Sequence, residues 1–299
     1  MHFNFSSLLT IAAAATAVLA QPSKRSAKLN PPVAAIHQVD WATLPPAPTE
    51  ATTNAKRFAQ GLPPLNPRRR NPNRGVHHGV AHAKGTRVIT APRSETSPAP
   101  PTSIKCNILV KNADSGEALG YVSSQWNSFA EYGPLQETQD ADALEIESNY
   151  SSDSPKQLNF IAINGKSSAY PYFGASVGFA STDENVGEDD PDYLLLTGNT
   201  QTPPGSTPSY EASNSFSETS SIPVASESAI WSYDSATGAL TAWWVNTDGT
   251  SVNPHILWSN QANNSLFTLT GSPATFREAY GVDGPEVTFT CVPPVAPPV

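Results

Sequence analysis

Ile104-Lys105-Cys106-Asn107-Ile108-Leu109-Val110 and Val287-Thr288-Phe289-Thr290-Cys291 are the two stretches on which the fold turns. Side chains of an extended strand alternate between two faces. Residues 104, 106, 108 and 110 therefore share one face, and 287, 289 and 291 share another. Each stretch predicts a strand with an apolar face, and each places a cysteine on that face. Cys106 and Cys291 are the two cysteines of the chain. In an oxidising compartment an even count predicts a bridge, here between the first strand and the last. Two free buried thiols are the alternative. Two cysteines and a single domain histidine are too few ligands for zinc, and no other motif calls for a metal or a cofactor.

Between these strands the pattern repeats. Leu119–Ser123, Ala143–Glu147, Leu158–Ile163, Tyr172–Ala180, Tyr193–Thr197, Ala229–Tyr233, Ala239–Val245, His255–Trp258 and Leu266–Leu269 read as short strands. Turn residues separate them: Asp114-Ser115-Gly116, Asn164-Gly165, Asp234-Ser235-Ala236-Thr237-Gly238 and Asn246-Thr247-Asp248-Gly249. Residues 198–222 are rich in Ser, Thr and Pro and read as a long surface loop suited to O-glycosylation. Ser272, Pro273 and Gly281 frame one short helix near the C-terminus. Many short strands at regular spacing predict a mainly β, antiparallel, β-sandwich-like single domain.

Composition places the boundaries. Residues 21–103 hold 14 prolines and two aromatic residues, Trp41 and Phe58, whereas 104–292 hold 22 aromatic residues. Only the second segment carries enough apolar surface to offset the chain entropy lost on folding. Residues 1–20 read as a signal peptide, with an apolar run of 13 residues from Leu8 to Ala20, too short to span a bilayer. Residues 21–103 are expected to be a disordered basic tail or pro-region, 104–292 the β domain, and 293–299 a Pro-rich end. Lys24-Arg25 and Arg68-Arg69-Arg70 are sites of the kind that secretory processing proteases cut, or else solvated charge runs. Within the tail, 53–61 has the caps of one short helix, and His77, His78 and His82 read as polar spacing, with a weak metal site as the alternative. Residues 1–103 carry 12 Lys+Arg against three acids, and 104–299 carry five against 23, so a domain of net −18 follows a tail of net +9. An acidic domain lacks the basic face that phosphate contacts need, which argues against a nucleic-acid partner. Asn149 and Asn263 open N-glycosylation sequons.

Arg57-Phe58-Ala59-Gln60-Gly61-Leu62-Pro63-Pro64-Leu65-Asn66-Pro67-Arg68-Arg69-Arg70 resembles a tail motif of secreted basidiomycete proteins. Glu227–Asp234, Trp244–Gly249, Leu269–Gly271 and Val287–Cys291 resemble the β-rich domain that follows this motif in one such fungal family. The resemblance implies export. It brings no activity and no catalytic residues.

A serine hydrolase needs a nucleophile, a base and an orienting acid, yet His255 is the lone histidine after residue 103 and no Gly-x-Ser-x-Gly elbow occurs. Glu145 and Glu147 share a strand face, a carboxylate pair as consistent with a solvated surface as with glycoside hydrolysis. Asp183–Asp192 is the densest acidic run, but it breaks the spacing of a helix–loop–helix calcium site. Trp243 and Trp244 are adjacent in one expected strand and so point to opposite faces. One ring belongs to the core; the other either stacks on a sugar or packs beneath a neighbouring loop. The reading that follows is a secreted, extracellular, non-catalytic protein that binds carbohydrate or another cell-wall component. A polysaccharide hydrolase and a structural wall protein are the rival classes. No membrane span is expected.

Overall fold

The computed structural model describes residues 28–47, 102–150, 156–261 and 264–295. The expected signal peptide, both basic clusters, the expected helix at 53–61, the tail histidines, the stretch that resembles a fungal tail motif and Asn263 lie outside these residues. The strands are β1 (Thr102–Asn112), β2 (Ala118–Val122), β3 (Leu135–Gln136), β4 (Glu145–Tyr150), β5 (Ile161–Ala162), β6 (Tyr172–Val177), β7 (Tyr193–Asn199), β8 (Ser226–Glu227), β9 (Trp231–Tyr233), β10 (Ala239–Ala242), β11 (Trp244–Val245), β12 (Ser251–Val252), β13 (His255–Gln261), β14 (Asn264–Thr270) and β15 (Glu286–Val292).

The sandwich expectation is corrected in one respect. The strands do not form two facing sheets. They run β1-β4-β5-β6-β7-β14-β13-β15 and return to β1, a closed eight-stranded barrel in which every neighbouring pair is antiparallel. Closure removes the free edges that an open sheet would present. The closing seam pairs β1 with β15, from Asn107 opposite Val292 to Asn112 opposite Val287. Cys106 and Cys291 are bridged beside that seam, 185 residues apart in sequence, with their Cα atoms 5.4 Å apart. The predicted bridge therefore locks the barrel shut.

The interior is filled as the alternation predicts. Ile104, Cys106, Ile108 and Val110 of β1 are buried with Val287 and Phe289 of β15, Phe173 and Ala175 of β6, Leu194 and Leu196 of β7, and Phe267 and Leu269 of β14. Trp231 stacks flat on Phe173, 4.9 Å between ring centres, and its Nε1 donates to the Phe173 carbonyl at 2.7 Å. A second apolar layer lies outside the wall. Tyr193 and Leu195 of β7, Leu257 of β13 and Leu266 of β14 pack under Phe216, Phe276, Val282 and Phe129. For this reason β7 is buried along its whole length.

Two helices supply that outer layer. Pro273–Tyr280 ends at Gly281, which has φ +65° and donates its N–H to Arg277, as the sequence predicted. Ser215–Ser220 was not expected; it lies within the stretch read as a surface loop. Asn214 caps it by accepting from the Ser217 N–H at 2.8 Å, and Phe216 is its buried anchor. One apolar residue in a Ser-rich run is too weak a periodic signal to declare a helix. Asn164-Gly165 also departs from expectation. It does not make a tight hairpin, because β5 and β6 are joined by a longer loop. Asn164 instead ties β4 down, accepting from the Glu145 N–H and donating to the Ala143 carbonyl.

Candidate functional site

The polar centre of the outer wall is built by the segment 127–133. Its backbone wedges between β7 and β14 where they separate. Tyr132 donates its N–H to the Leu196 carbonyl at 2.8 Å, and its own carbonyl accepts from Phe267 at 3.1 Å. The wedge fits only because Gly133 lacks a side chain: a Cβ there would lie 2.0 Å from the Ser265 carbonyl oxygen. Strand alternation then sends Tyr132 into the barrel and Glu131 to the outer face. Asn127 folds the loop, its Oδ1 accepting from the N–H groups of Phe129 and Glu131, while Ala130 adopts φ +58°. A left-handed alanine stores local strain that the surrounding bonds must hold.

Glu131 is fully buried. Its Oε2 accepts from Asn127 Nδ2 at 2.7 Å and from Asn30 Nδ2 at 3.0 Å, and its Oε1 has no hydrogen-bond partner. Burial disfavours the charged carboxylate and raises its pKa to about 7, against the opposing pull of the two amides. This carboxyl is therefore balanced between its charged and neutral forms at neutral pH.

Asn30 comes from the stretch assigned to the tail. Residues 28–47 are not free of the domain; they run across the outer wall as a strap with one 3-10 turn at Val33–Ala35. Leu29 is buried in the outer apolar layer, and its carbonyl accepts from the Tyr193 hydroxyl at 2.6 Å. His37 donates its N–H to the Thr219 carbonyl, and Ala47 to that of Ser168. Trp41 meets Trp126 edge-on at 4.9 Å and Tyr170 at 6.1 Å. Tyr170 is fixed in turn by donating to Glu218. Composition misplaced this segment because a docked strap needs only a few anchors, and those few do not lift its average hydrophobicity.

The strap does not fill its groove. A cavity of about 480 Å³ remains beside Val39, Trp41, Trp126 and Asn127, and one of about 400 Å³ beside Leu29, Asn30, Phe129 and Asn264. Replacing Trp41 with alanine is expected to free residues 28–47 while leaving the barrel intact. Amide hydrogen exchange would read fast exchange in the strap and unchanged protection in β1 and β15. Equal protection of the strap in both proteins would show that Trp41 is no anchor.

The residues singled out in the sequence lie elsewhere. Trp244 is buried in the interior cluster, and its Nε1 donates to the Glu184 carbonyl. Trp243 is half-buried, donates to Ser232 Oγ, and has the Lys156 ammonium 5.0 Å above its ring. The single strand expected over 239–245 is broken between the two rings: the chain leaves one strand pair at Ala242 and enters another at Trp244. His255 pairs with Glu286 at the surface and faces no nucleophile in that contact. Glu145 is engaged with Lys105. The acidic run folds around Asp192, which accepts from Thr182 and Asp183, and it is tied to the β11–β12 hairpin through Asn185 and Asn246. Among the described residues no three His, Cys, Asp or Glu side chains are grouped to hold a metal ion. Asn149 lies on β4, exposed.

Glu131, Asn127 and Trp41 were missed. Two signals were present: a single acid inside the apolar run Phe129-Ala130-Glu131-Tyr132, and the lone tryptophan of a Pro-rich tail. Neither points to the other without the fold. Against family models, curated proteins and solved structures the chain finds no match.

Proposed function

We propose that this is a secreted, non-catalytic binding protein whose ligand site is the outer groove around Glu131, and that the ligand is an extended polypeptide. The observation that carries this reading is the strap itself. A proline-containing segment with no regular structure beyond one 3-10 turn, Val33–Ala35, lies in the groove through an apolar anchor, an amide–carboxyl contact and an aromatic anchor, with few backbone bonds. Extended chains are commonly recognised by such widely spaced side-chain contacts on a preformed surface. Secretion agrees with the Cys106–Cys291 bridge, and among the described residues no helix is long and apolar enough to cross a membrane. The carbohydrate version would need an open ring face, and the half-buried Trp243 is its remaining candidate.

A second reading has one observation in its favour. A carboxyl whose pKa is close to neutral can serve as a general acid, so a hydrolase could use Glu131. The groups that hydrogen-bond its side chain are two amides, however, rather than a second acid or base.

The test presents a fluorescent peptide of residues 28–47, a panel of polysaccharides and a panel of unstructured polypeptides to the protein carrying Leu29→Ala and Trp41→Ala, which loosen its own strap. Saturable peptide binding, weakened by Tyr170→Ala, supports the proposal. Binding of polysaccharide alone, or turnover of any polymer that Glu131→Gln abolishes, overturns it.

A further inference from the structure

The strap leaves its groove chemically incomplete, and the missing partners have one character. On the groove side Glu131 Oε1 and Asn264 Oδ1 are buried acceptors without a donor, and Thr219 Oγ1 is buried without a hydrogen-bond partner; on the strap side Asn30 Oδ1 is equally unmatched. A buried polar group left unpaired costs about 1–3 kcal/mol. Asn30 Nδ2 already reaches Glu131 Oε2, so an asparagine side chain engages one oxygen of the carboxyl and leaves the other empty. Asn30 and Asn264 line the same cavity of about 400 Å³, so there is room beside the amide for a longer side chain. The domain around this groove carries five Lys+Arg against 23 acids, a field that favours cationic ligands.

We infer that the groove is built for an extended, proline-containing peptide that presents an arginine where the strap presents Asn30, and that the strap is a weaker intramolecular stand-in for it. This rests on the polypeptide-binding reading above. A guanidinium carries five N–H donors in a planar fork and can engage both oxygens of one carboxylate. It supplies Glu131 Oε1 with the donor it lacks and has further N–H groups for Asn264 Oδ1. Burial of a charge is repaid here because the partner is itself a carboxyl of the opposite sign. The strap persists despite its poorer fit because it is covalently joined to the domain through residues 48–101, so its docking is intramolecular.

Competition between peptides tests this. The receptor is the full chain with Leu29→Ala and Trp41→Ala, its folding confirmed by the thermal transition. The probe is the fluorescent 28–47 peptide, displaced by unlabelled peptides carrying Asn30, Asn30→Arg or Asn30→Ala. The expected order is Asn30→Arg tightest, by about tenfold over Asn30, with Asn30→Ala weakest. In a receptor that also carries Glu131→Gln, the arginine advantage is expected to vanish while the Asn30 peptide still binds. Equal affinities for the Arg and Asn peptides, or an arginine advantage that survives Glu131→Gln, overturn the inference alone. Failure of the labelled strap peptide to bind at all overturns the polypeptide reading beneath it.

Discussion

Replacing both Cys106 and Cys291 with alanine lowers the unfolding free energy by about 5 kcal/mol, measured by urea denaturation at fixed pH. The magnitude follows from the length of chain that the bridge closes. The cysteines are 185 residues apart, so the unfolded chain loses much of its freedom when they are joined. Their position adds a structural consequence. The bridge stands beside the β1–β15 seam, and that seam turns an open sheet into a barrel. Opening it exposes the facing edges of β1 and β15, which carry unpaired backbone groups able to recruit other strands. The double variant is therefore expected to aggregate on heating while the bridged protein does not, a difference that light scattering during the thermal ramp would show. A loss below about 1 kcal/mol, with reversible melting, would mean that strand pairing alone holds the barrel closed.

Glu227→Gln is expected to stabilise the protein at neutral pH by about 3 kcal/mol and to flatten its pH dependence. Glu227 lies on β8 at 2% exposure, with both carboxyl oxygens directed at the Val245 N–H. Burial raises its pKa to about 9, and the single backbone donor offsets this only in part. The unfolded chain releases this proton near pH 4.5, whereas the folded protein keeps it until about pH 9. Between those values the folded state binds more protons than the unfolded one. Its stability therefore falls as pH rises, by up to about 1.4 kcal/mol per unit from this group. Below pH 4.5 the two states are equally protonated at this site and the penalty is absent. Glu131 acts in the same direction between about pH 4.5 and 7. Denaturation midpoints from pH 4 to 9 should descend in the native protein, with the Glu227→Gln protein descending less. Coincident curves would show that Glu227 does not carry this penalty.

Both expectations concern groups whose importance the sequence revealed unequally. The two cysteines stood out because each falls on the apolar side of an alternating run. Alternation is local, fixed by the pleat, and legible without tertiary knowledge. The same rule found the helix between Ser272 and Gly281, where proline and glycine constrain the backbone at either end, and the turns at Gly238 and Gly249, which have φ of +75° and +85°. Glu227 could not be found this way. It sits in Glu227-Ser228-Ala229-Ile230 like any strand-end acid, and the backbone N–H that meets its carboxyl belongs to Val245, 18 residues further on.

The sequence by itself determined a mainly β chain with inward-facing cysteines, one capped helix near its end and an acidic segment after a basic one. Those features depend on period, caps and charge, each a property of neighbouring residues. The tertiary structure alone decided that the sheet closes. One buried face per strand satisfies a barrel as well as a sandwich, and the choice lies in the pairing of β1 with β15 across almost the whole domain. It alone also decided the candidate site. Asn30 and Glu131 are 101 residues apart and meet only because the wedge at Gly133 turns Glu131 outward, beneath a strap whose few anchors are too sparse to register as a folded segment.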